Sequence, residues 1–236
     1  MLQRAPRVAF RPSFRPGLIG LGIVLYLIGT AIGIWAVSTG ARHTGEFALD
    51  RTIAADRGTF VADVSRVINV AFGPVVGPIW ALLLCLVVWR TLGRSVALRA
   101  GLLTLVGWLS VEVWKMIFHR HRPPTAAVHA LVTETKPDSF PSGHTAFTAA
   151  LVVGFAVVFA AHRRLRRIVL IVGIPLIVVV AASRLVLGAH YLADVVAAPI
   201  LVCGTIAGIV GLGLLGGRTA DHTGDRPVHK GDTPGV

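Results

Sequence analysis

Apolar residues in this chain fall into long unbroken runs, separated by short polar segments rich in arginine. A helix needs about 20 such residues to cross roughly 30 Å of hydrocarbon. Six runs are readable: Gly17 to about Ser38, Ile68 to Trp89, Ala100 to Phe118, Ser142 to Ala161, Ile168 to Val186, and Tyr191 to Leu215. The pattern predicts an all-α fold, a polytopic membrane protein built as a six-transmembrane-helix bundle over residues 17–215. Residues 1–16 form a basic N-terminal segment, and the polar, Gly- and Pro-containing residues 216–236 are expected to be a disordered tail. Arg4, Arg7, Arg11 and Arg15 before the first run resemble the start of a signal peptide, and Ala36-Val37-Ser38 would serve as a cleavage site. A signal peptide's apolar stretch is only about 7–15 residues, however, so this longer run reads as a retained first helix.

Residues 39–66 interrupt the pattern. Glu46, Asp50, Asp56 and Asp63 are balanced there by Arg42, Arg51, Arg57 and Arg66. Leu49, Ile53, Phe60 and Val64 approximate a helical stripe that breaks near Gly58. Two readings fit: a plain surface loop, or an interfacial amphipathic helix that would act as a lid over lipid entry. The third run contains Glu112 and Lys115. Charges inside a span are costly and mark functional candidates, although the i,i+3 spacing reads Glu112 as an ion-pair partner of Lys115.

Composition narrows the class. The chain is 54% hydrophobic and only 14% charged, with a mean hydropathy of +0.75. An ordinary soluble domain carries about 25% charged residues, so that class is excluded. The net charge of +12 would point to nucleic acid in a soluble protein. Here the basic residues flank apolar runs, so topology and anionic lipid explain them and no nucleic-acid partner is expected. With six spans, 14 Lys and Arg fall on the side of the termini and 9 on the other. The positive-inside tendency then places both termini in the cytoplasm. The loop 119–141, the start of the fourth run and the junction of the last two would share the outer face of the plasma membrane. Cys85 and Cys203 lie inside apolar runs and read as buried small residues, without a disulfide or zinc pattern. Arginine dominates the basic residues, with Lys only at 115, 136 and 230, which hints at a GC-rich bacterial genome.

Three blocks of reactive residues flank these outer ends: Lys115-x6-Arg122-Pro123, Pro141-Ser142-Gly143-His144, and Ser183-Arg184-x5-His190-x3-Asp194. Asp194 lies four residues after His190, so on a helix the two share a face. A carboxylate there can accept one ring N–H and leave the other nitrogen free for attack. Lys115, Arg122 and Arg184 supply cations on one side of the membrane, as phosphoryl transfer requires. Ser142 is a favoured helix N-cap, and a helix start offers free N–H groups to an anion. His144, next to that start, can protonate a leaving oxygen. No cluster of carboxylates is placed to hold Mg²⁺ and three cations stand in its stead, so metal-independent turnover without a cofactor is expected.

In order and spacing, the eleven specified residues resemble the signature of the type 2 phosphatidic acid phosphatase superfamily. The resemblance implies that His190 attacks phosphorus to form a phosphohistidine, oriented by Asp194, with His144 as general acid. It also implies that Lys115, Arg122, Ser142, backbone Gly143 and Arg184 bind the phosphate. The expected protein is therefore a membrane lipid phosphatase. Undecaprenyl-type pyrophosphate is the first choice of substrate, followed by phosphatidic acid or phosphatidylglycerophosphate. Three rivals remain at this point: a lipid phosphotransferase with the same chemistry, a vanadium haloperoxidase (disfavoured by the six apolar runs), and a non-catalytic lipid-phosphate binder. His119, His121 and His129 read as loop or interface residues, and Arg120 as a residue that meets lipid headgroups more often than it serves a site.

Overall fold

The computed structural model describes residues 14–215 except Thr135, so the expectations for residues 1–13 and for the tail lie outside the described residues. Among the described residues there are eight α-helices and no strand. They are α1 (Pro16–Thr39), α2 (Glu46–Asp56), α3 (Thr59–Ala71), α4 (Val76–Leu92), α5 (Arg94–Phe118), α6 (Gly143–Val158), α7 (Arg163–Val186) and α8 (Leu192–Gly211). Helices α1, α5, α7 and α8 are each long and apolar enough to cross a membrane. Taken as one unit, α3 and α4 qualify as a fifth candidate, bent by 61° at the break between them. Leucine, isoleucine and valine side chains stand exposed along α1, α4, α5 and α7. That surface suits lipid and would be a liability in water. The chain is an integral membrane protein.

The helices depart from the boundaries of the six expected spans. The run Ile68–Trp89 divides at Phe72-Gly73-Pro74-Val75, and Ile68–Ala71 belongs to α3. Proline lacks an N–H and disfavours helix at the residue before it, which accounts for the stop at Gly73-Pro74. Helix α6 is 16 residues long, about 24 Å at 1.5 Å per residue, and falls short of a full span by length alone. Two basic segments expected as turns are helical: α5 begins at Arg94 and α7 at Arg163. Arginine is a good helix former, so charge ended the apolar runs without ending the helices. Only Gly93 (φ 99°) separates α4 from α5, a left-handed position that glycine adopts without strain.

Helix α6 is the hub, buried along most of its length between α5, α7 and α8. Its alanines and Leu103, Val202 and Ile206 make the central core. Helix α1 packs on α8 through small residues: a Cβ added at Gly22 would stand 3.0 Å from the Gly204 carbonyl oxygen and 3.1 Å from the Gly208 nitrogen. Without a hydrophobic force between helices in lipid, such close backbone approach is what holds them together. The Tyr26 hydroxyl and Ser110 Oγ each lie 2.9 Å from Thr205 Oγ1, tying α1 and α5 to α8. Gly22→Leu is expected to destabilise the protein by about 1–3 kcal/mol through overpacking, read as a lower melting temperature in detergent. Gly20→Leu, where an added Cβ meets nothing within 4 Å, should leave it unchanged.

Segment 39–66 is helical rather than a plain surface loop. It folds as α2 and the start of α3, broken at Arg57-Gly58, and turns part of its polar surface inward. Glu46, Asp50 and Ser65 are buried, while the stripe residues Leu49, Phe60 and Val64 are exposed. Arg57 fixes the break in place: Nη1 donates to the Val186 carbonyl at 2.8 Å, and Nη2 donates to the carbonyl of His129.

Candidate active site

Four helix ends meet at one end of the bundle. Lys115 is in the last turn of α5 and Arg184 in the last turn of α7, while His144 and Asp194 are in the first turns of α6 and α8. Because α5 and α6 run antiparallel, as do α7 and α8, residues far apart in sequence arrive together. The link from α7 to His190 turns at Gly188 (φ 68°), where a Cβ would also press to 2.9 Å from Val128. A cavity of about 150 Å³ opens here, lined by Lys115, Arg122, Glu134, Gly143, His144 and His190 among others.

The tautomer of His190 follows from its neighbours. Arg122 Nη1 lies 3.0 Å from His190 Nε2, and a guanidinium can only donate. Nε2 is therefore the acceptor, and Nδ1 carries the hydrogen. Nδ1 faces Asp194 Oδ2 at 3.4 Å, out of line for a hydrogen bond. Catalytic hydrogen bonds are often long before substrate binds. Asp194 Oδ2 also accepts from the Tyr191 N–H at 2.9 Å, and Oδ1 from Arg120 Nη1 at 2.6 Å. Burial, then Arg122 and Arg184, hold the His190 imidazole well below the usual histidine range. The ring is neutral at physiological pH, and its Nε2 lone pair accepts from Arg122 at the cavity wall.

The cations around it are already engaged. Arg122 Nε donates to the Lys136 carbonyl at 2.8 Å and Nη1 to the Ala189 carbonyl at 2.7 Å. Lys115 Nζ meets Glu112 at 3.1 Å, the expected ion pair, and Glu112 also holds Lys136 at 2.9 Å. Arg184 is fully buried and splits its guanidinium between Asn69 Oδ1 and Glu134. Glu134 also faces Arg122 Nη2 at 3.8 Å, so its carboxylate sits between two arginines as a phosphate would. Against the cost of burial, Arg184 and Arg122 keep that carboxyl below the usual range and ionised.

The expected residues do not all line the cavity. Ser142, Arg184 and Asp194 lie behind its surface, each fully buried. Ser142 occupies the N-cap position of α6 but makes no side-chain cap; its Oγ accepts from Thr145 Oγ1 at 3.1 Å and its N–H donates to the Asp194 carbonyl at 3.0 Å. The first-turn N–H groups of α6 are left uncapped by that hydroxyl, which keeps the helix start available to an anion. A Cβ at Gly143 would stand 3.5 Å from Lys115 Nζ, so glycine leaves that space open. Arg120 is buried and paired with Asp194 and Glu46, not spread toward headgroups.

Sequence reasoning missed Asn69 and Glu134. Asn69 uses both oxygens: Oδ1 on Arg184, and its carbonyl on His144 Nε2 at 3.2 Å, so Nε2 is the hydrogen-bearing nitrogen of His144. It is the only asparagine in the chain and falls in an apolar run, a signal that could have been used. Among the described residues no group of three His, Cys, Asp or Glu side chains is arranged to hold a metal ion. A second, apolar groove of about 660 Å³ runs between α4 and α5 from Trp108 and Phe147 down to Arg94, and Trp108 also walls the polar cavity. Along α5 that is about 21 Å at 1.5 Å per residue.

Comparison with known proteins gives the family. The solved transmembrane PAP2-type phosphatidylglycerolphosphate phosphatase from Bacillus subtilis is similar in fold, with a TM-score of 0.65 at 22% sequence identity, covering 82% of this chain and 93% of that one. No curated protein matches the sequence. The family model for the PAP2 superfamily matches residues 95–214, from the start of α5 to beyond α8 and across all three reactive blocks. The chain belongs to the PAP2 superfamily.

Proposed function

We propose that this protein is a lipid phosphatase that hydrolyses a phosphomonoester or pyrophosphate at the membrane surface, with His190 as nucleophile. The observation that carries the reading is the junction at Trp108, where a cationic cavity meets an apolar groove long enough for a lipid chain. In the first step His190 Nε2 forms a bond to phosphorus as the P–O bond to the leaving group breaks. Protonated His144 gives its proton to the departing oxygen. Nδ1–H stays on the ring, and Asp194 stabilises the cationic phosphohistidine. Water then attacks phosphorus and loses a proton to His144, the N–P bond breaks, and inorganic phosphate leaves with both imidazoles restored. Lys115, Arg122, Arg184 and the α6 N–H groups, including that of Gly143, neutralise the equatorial oxygens; Ser142 supports them by tying the start of α6 to α8.

Counting the bent α3–α4 pair as one crossing and α6 as a short one gives six. The basic starts of α5 and α7 lie at the end away from the cavity, which supports cytoplasmic termini and an outward site. A long isoprenyl chain with a pyrophosphate head is the favoured substrate, ahead of phosphatidic acid or phosphatidylglycerophosphate. The test is phosphate release by the purified full chain from a panel of lipid phosphates, with and without chelator, together with an alkaline detergent quench to trap a phosphoprotein that survives base and is lost in acid. No release from any lipid, or release abolished by chelator, would count against the reading.

Glu134 must vacate its place between Arg184 and Arg122 before a phosphate can enter. A hydrogen bond to a charged group contributes about 1.5–3 kcal/mol, so Glu134→Gln is expected to tighten inhibition by inorganic phosphate roughly tenfold or more. Competitive inhibition constants measure this; an unchanged or weaker constant would show that the carboxylate does not compete.

A further inference from the structure

Behind the cavity lies a second group of charges that the phosphate chemistry above leaves unused. Arg120 is held between two carboxylates, with Nη1 2.6 Å from Asp194 Oδ1 and Nη2 2.5 Å from Glu46 Oε2. Its guanidinium also lies 4.5 Å from the Tyr191 ring centre. Glu46 is anchored twice more: Oε1 accepts the Ala193 N–H at 2.8 Å, in the first turn of α8, and Oε2 accepts from Thr44 Oγ1 at 2.8 Å. Glu46, Arg120 and Asp194 are all buried, at 4%, 6% and 0% exposure. None of the three lines the catalytic cavity.

The physical consequence concerns how much of Asp194's charge reaches His190. A buried guanidinium facing Asp194 alone would cancel that carboxylate and leave the imidazole with a weak acceptor. With Glu46 on its other side, Arg120 is already matched, and the trio keeps one net negative charge facing Nδ1. That charge is needed when the ring becomes cationic on bonding to phosphorus. Glu46 also pins the turn of α8 from which Asp194 projects.

We propose that Glu46, acting through Arg120, is a positioning residue for the Asp194–His190 pair and sets the rate of the chemical step without touching substrate. The proposal rests on the reading of His190 as nucleophile. The groups facing Arg120 and the carboxylates are Glu46 and Asp50 on α2, Asp194 on α8, and Tyr191 and His190 before it. Asp50 is buried with neither oxygen bonded; burial first, then Asp194 and Glu46, against Arg120, push it up to about 7. Profiles are therefore compared in the wild-type and Asp50→Asn backgrounds, which removes that titration.

The experiment follows short-chain phosphatidic acid turnover by the full chain in detergent between pH 5 and 9. Glu46→Gln is expected to lower kcat roughly tenfold or more with KM little changed, and to move the acid limb to lower pH, because Asp194 then faces Arg120 without a competitor. Arg120→Gln should move the acid limb the other way, because two carboxylates left together protonate more readily. Glu46→Asp, which keeps the charge, should retain more kcat than Glu46→Gln. Should Glu46→Gln fail to fold, Arg120→Lys carries the same comparison of kcat with KM. Wild-type kcat in Glu46→Gln, or losses with the pH limb unmoved in both variants, would overturn the proposal. A wild type that releases no phosphate from any lipid of the panel, or His190→Ala that still turns over, would instead overturn the functional reading, and the proposal with it.

Discussion

Phosphate release by His190→Ala is expected to fall roughly 10⁴-fold or more, the scale seen when a covalent nucleophile is removed, while inorganic phosphate still binds. The two halves of that expectation come from different contacts. Turnover depends on Nε2, which carries no hydrogen because Arg122 Nη1 donates to it at 3.0 Å, a contact that must give way before this nitrogen attacks. Binding depends on Lys115, Arg122 and Arg184, and Arg122 remains held by the Ala189 and Lys136 carbonyls after the ring is gone. Alanine also leaves Arg122 one more free donor for a phosphate oxygen. The variant should yield no acid-labile phosphoprotein on quenching. Near-normal turnover would require another nucleophile and would sink the proposed mechanism. Loss of phosphate binding together with turnover would mean that the imidazole shapes the cup rather than attacking from it.

The three reactive blocks were legible in the sequence because each is local. His190 and Asp194 are four residues apart, though His190 precedes the N-cap Tyr191 and meets Asp194 from outside α8 rather than along a helix face, and Ser142, Gly143 and His144 mark a helix start. Helix ends then do the assembling, since antiparallel neighbours return to the same end of the bundle. What escaped was whatever depends on one residue reaching a distant partner. Glu46 and Glu134 have no spacing relation to the blocks, yet one anchors Arg120 and the other fills the space between two arginines. Segment 39–66 left loop and helix both open because its stripe breaks near Gly58, and the inward turn of Glu46 and Asp50 carried no signal, since Asp56 and Asp63 in the same segment stay exposed. Apolar runs likewise gave the spans but not their breaks: hydropathy does not register Gly73-Pro74, and it ends a helix at every arginine cluster although α5 and α7 begin inside theirs.

Arg184→Lys is the second large effect: kcat/KM is expected to fall roughly 10²–10³-fold, as when one charged donor to a transition state is lost. Arg184 is fully buried, with one terminal nitrogen on Asn69 Oδ1, the other on Glu134, and its Nε without a partner. An unpaired buried donor is costly, and an incoming phosphate oxygen near Glu134's place would give this guanidinium a second acceptor of the right charge. Lysine keeps the charge but is a single point donor on a flexible stem, so it cannot hold Asn69 and a phosphate oxygen in fixed directions together. Asn69 adds a consequence beyond affinity, since its carbonyl also orients His144. Loosening Arg184 should therefore lower kcat as well as raise KM. The decisive measurement is a double variant. If Glu134 competes with phosphate mainly through Arg184, the tighter inhibition expected of Glu134→Gln should largely vanish in the Arg184→Lys background, because contacts through one shared group are not additive. Equal gains in both backgrounds would assign the competition to Arg122, 3.8 Å from the same carboxylate, and would leave Arg184 a structural support for α3 and α7.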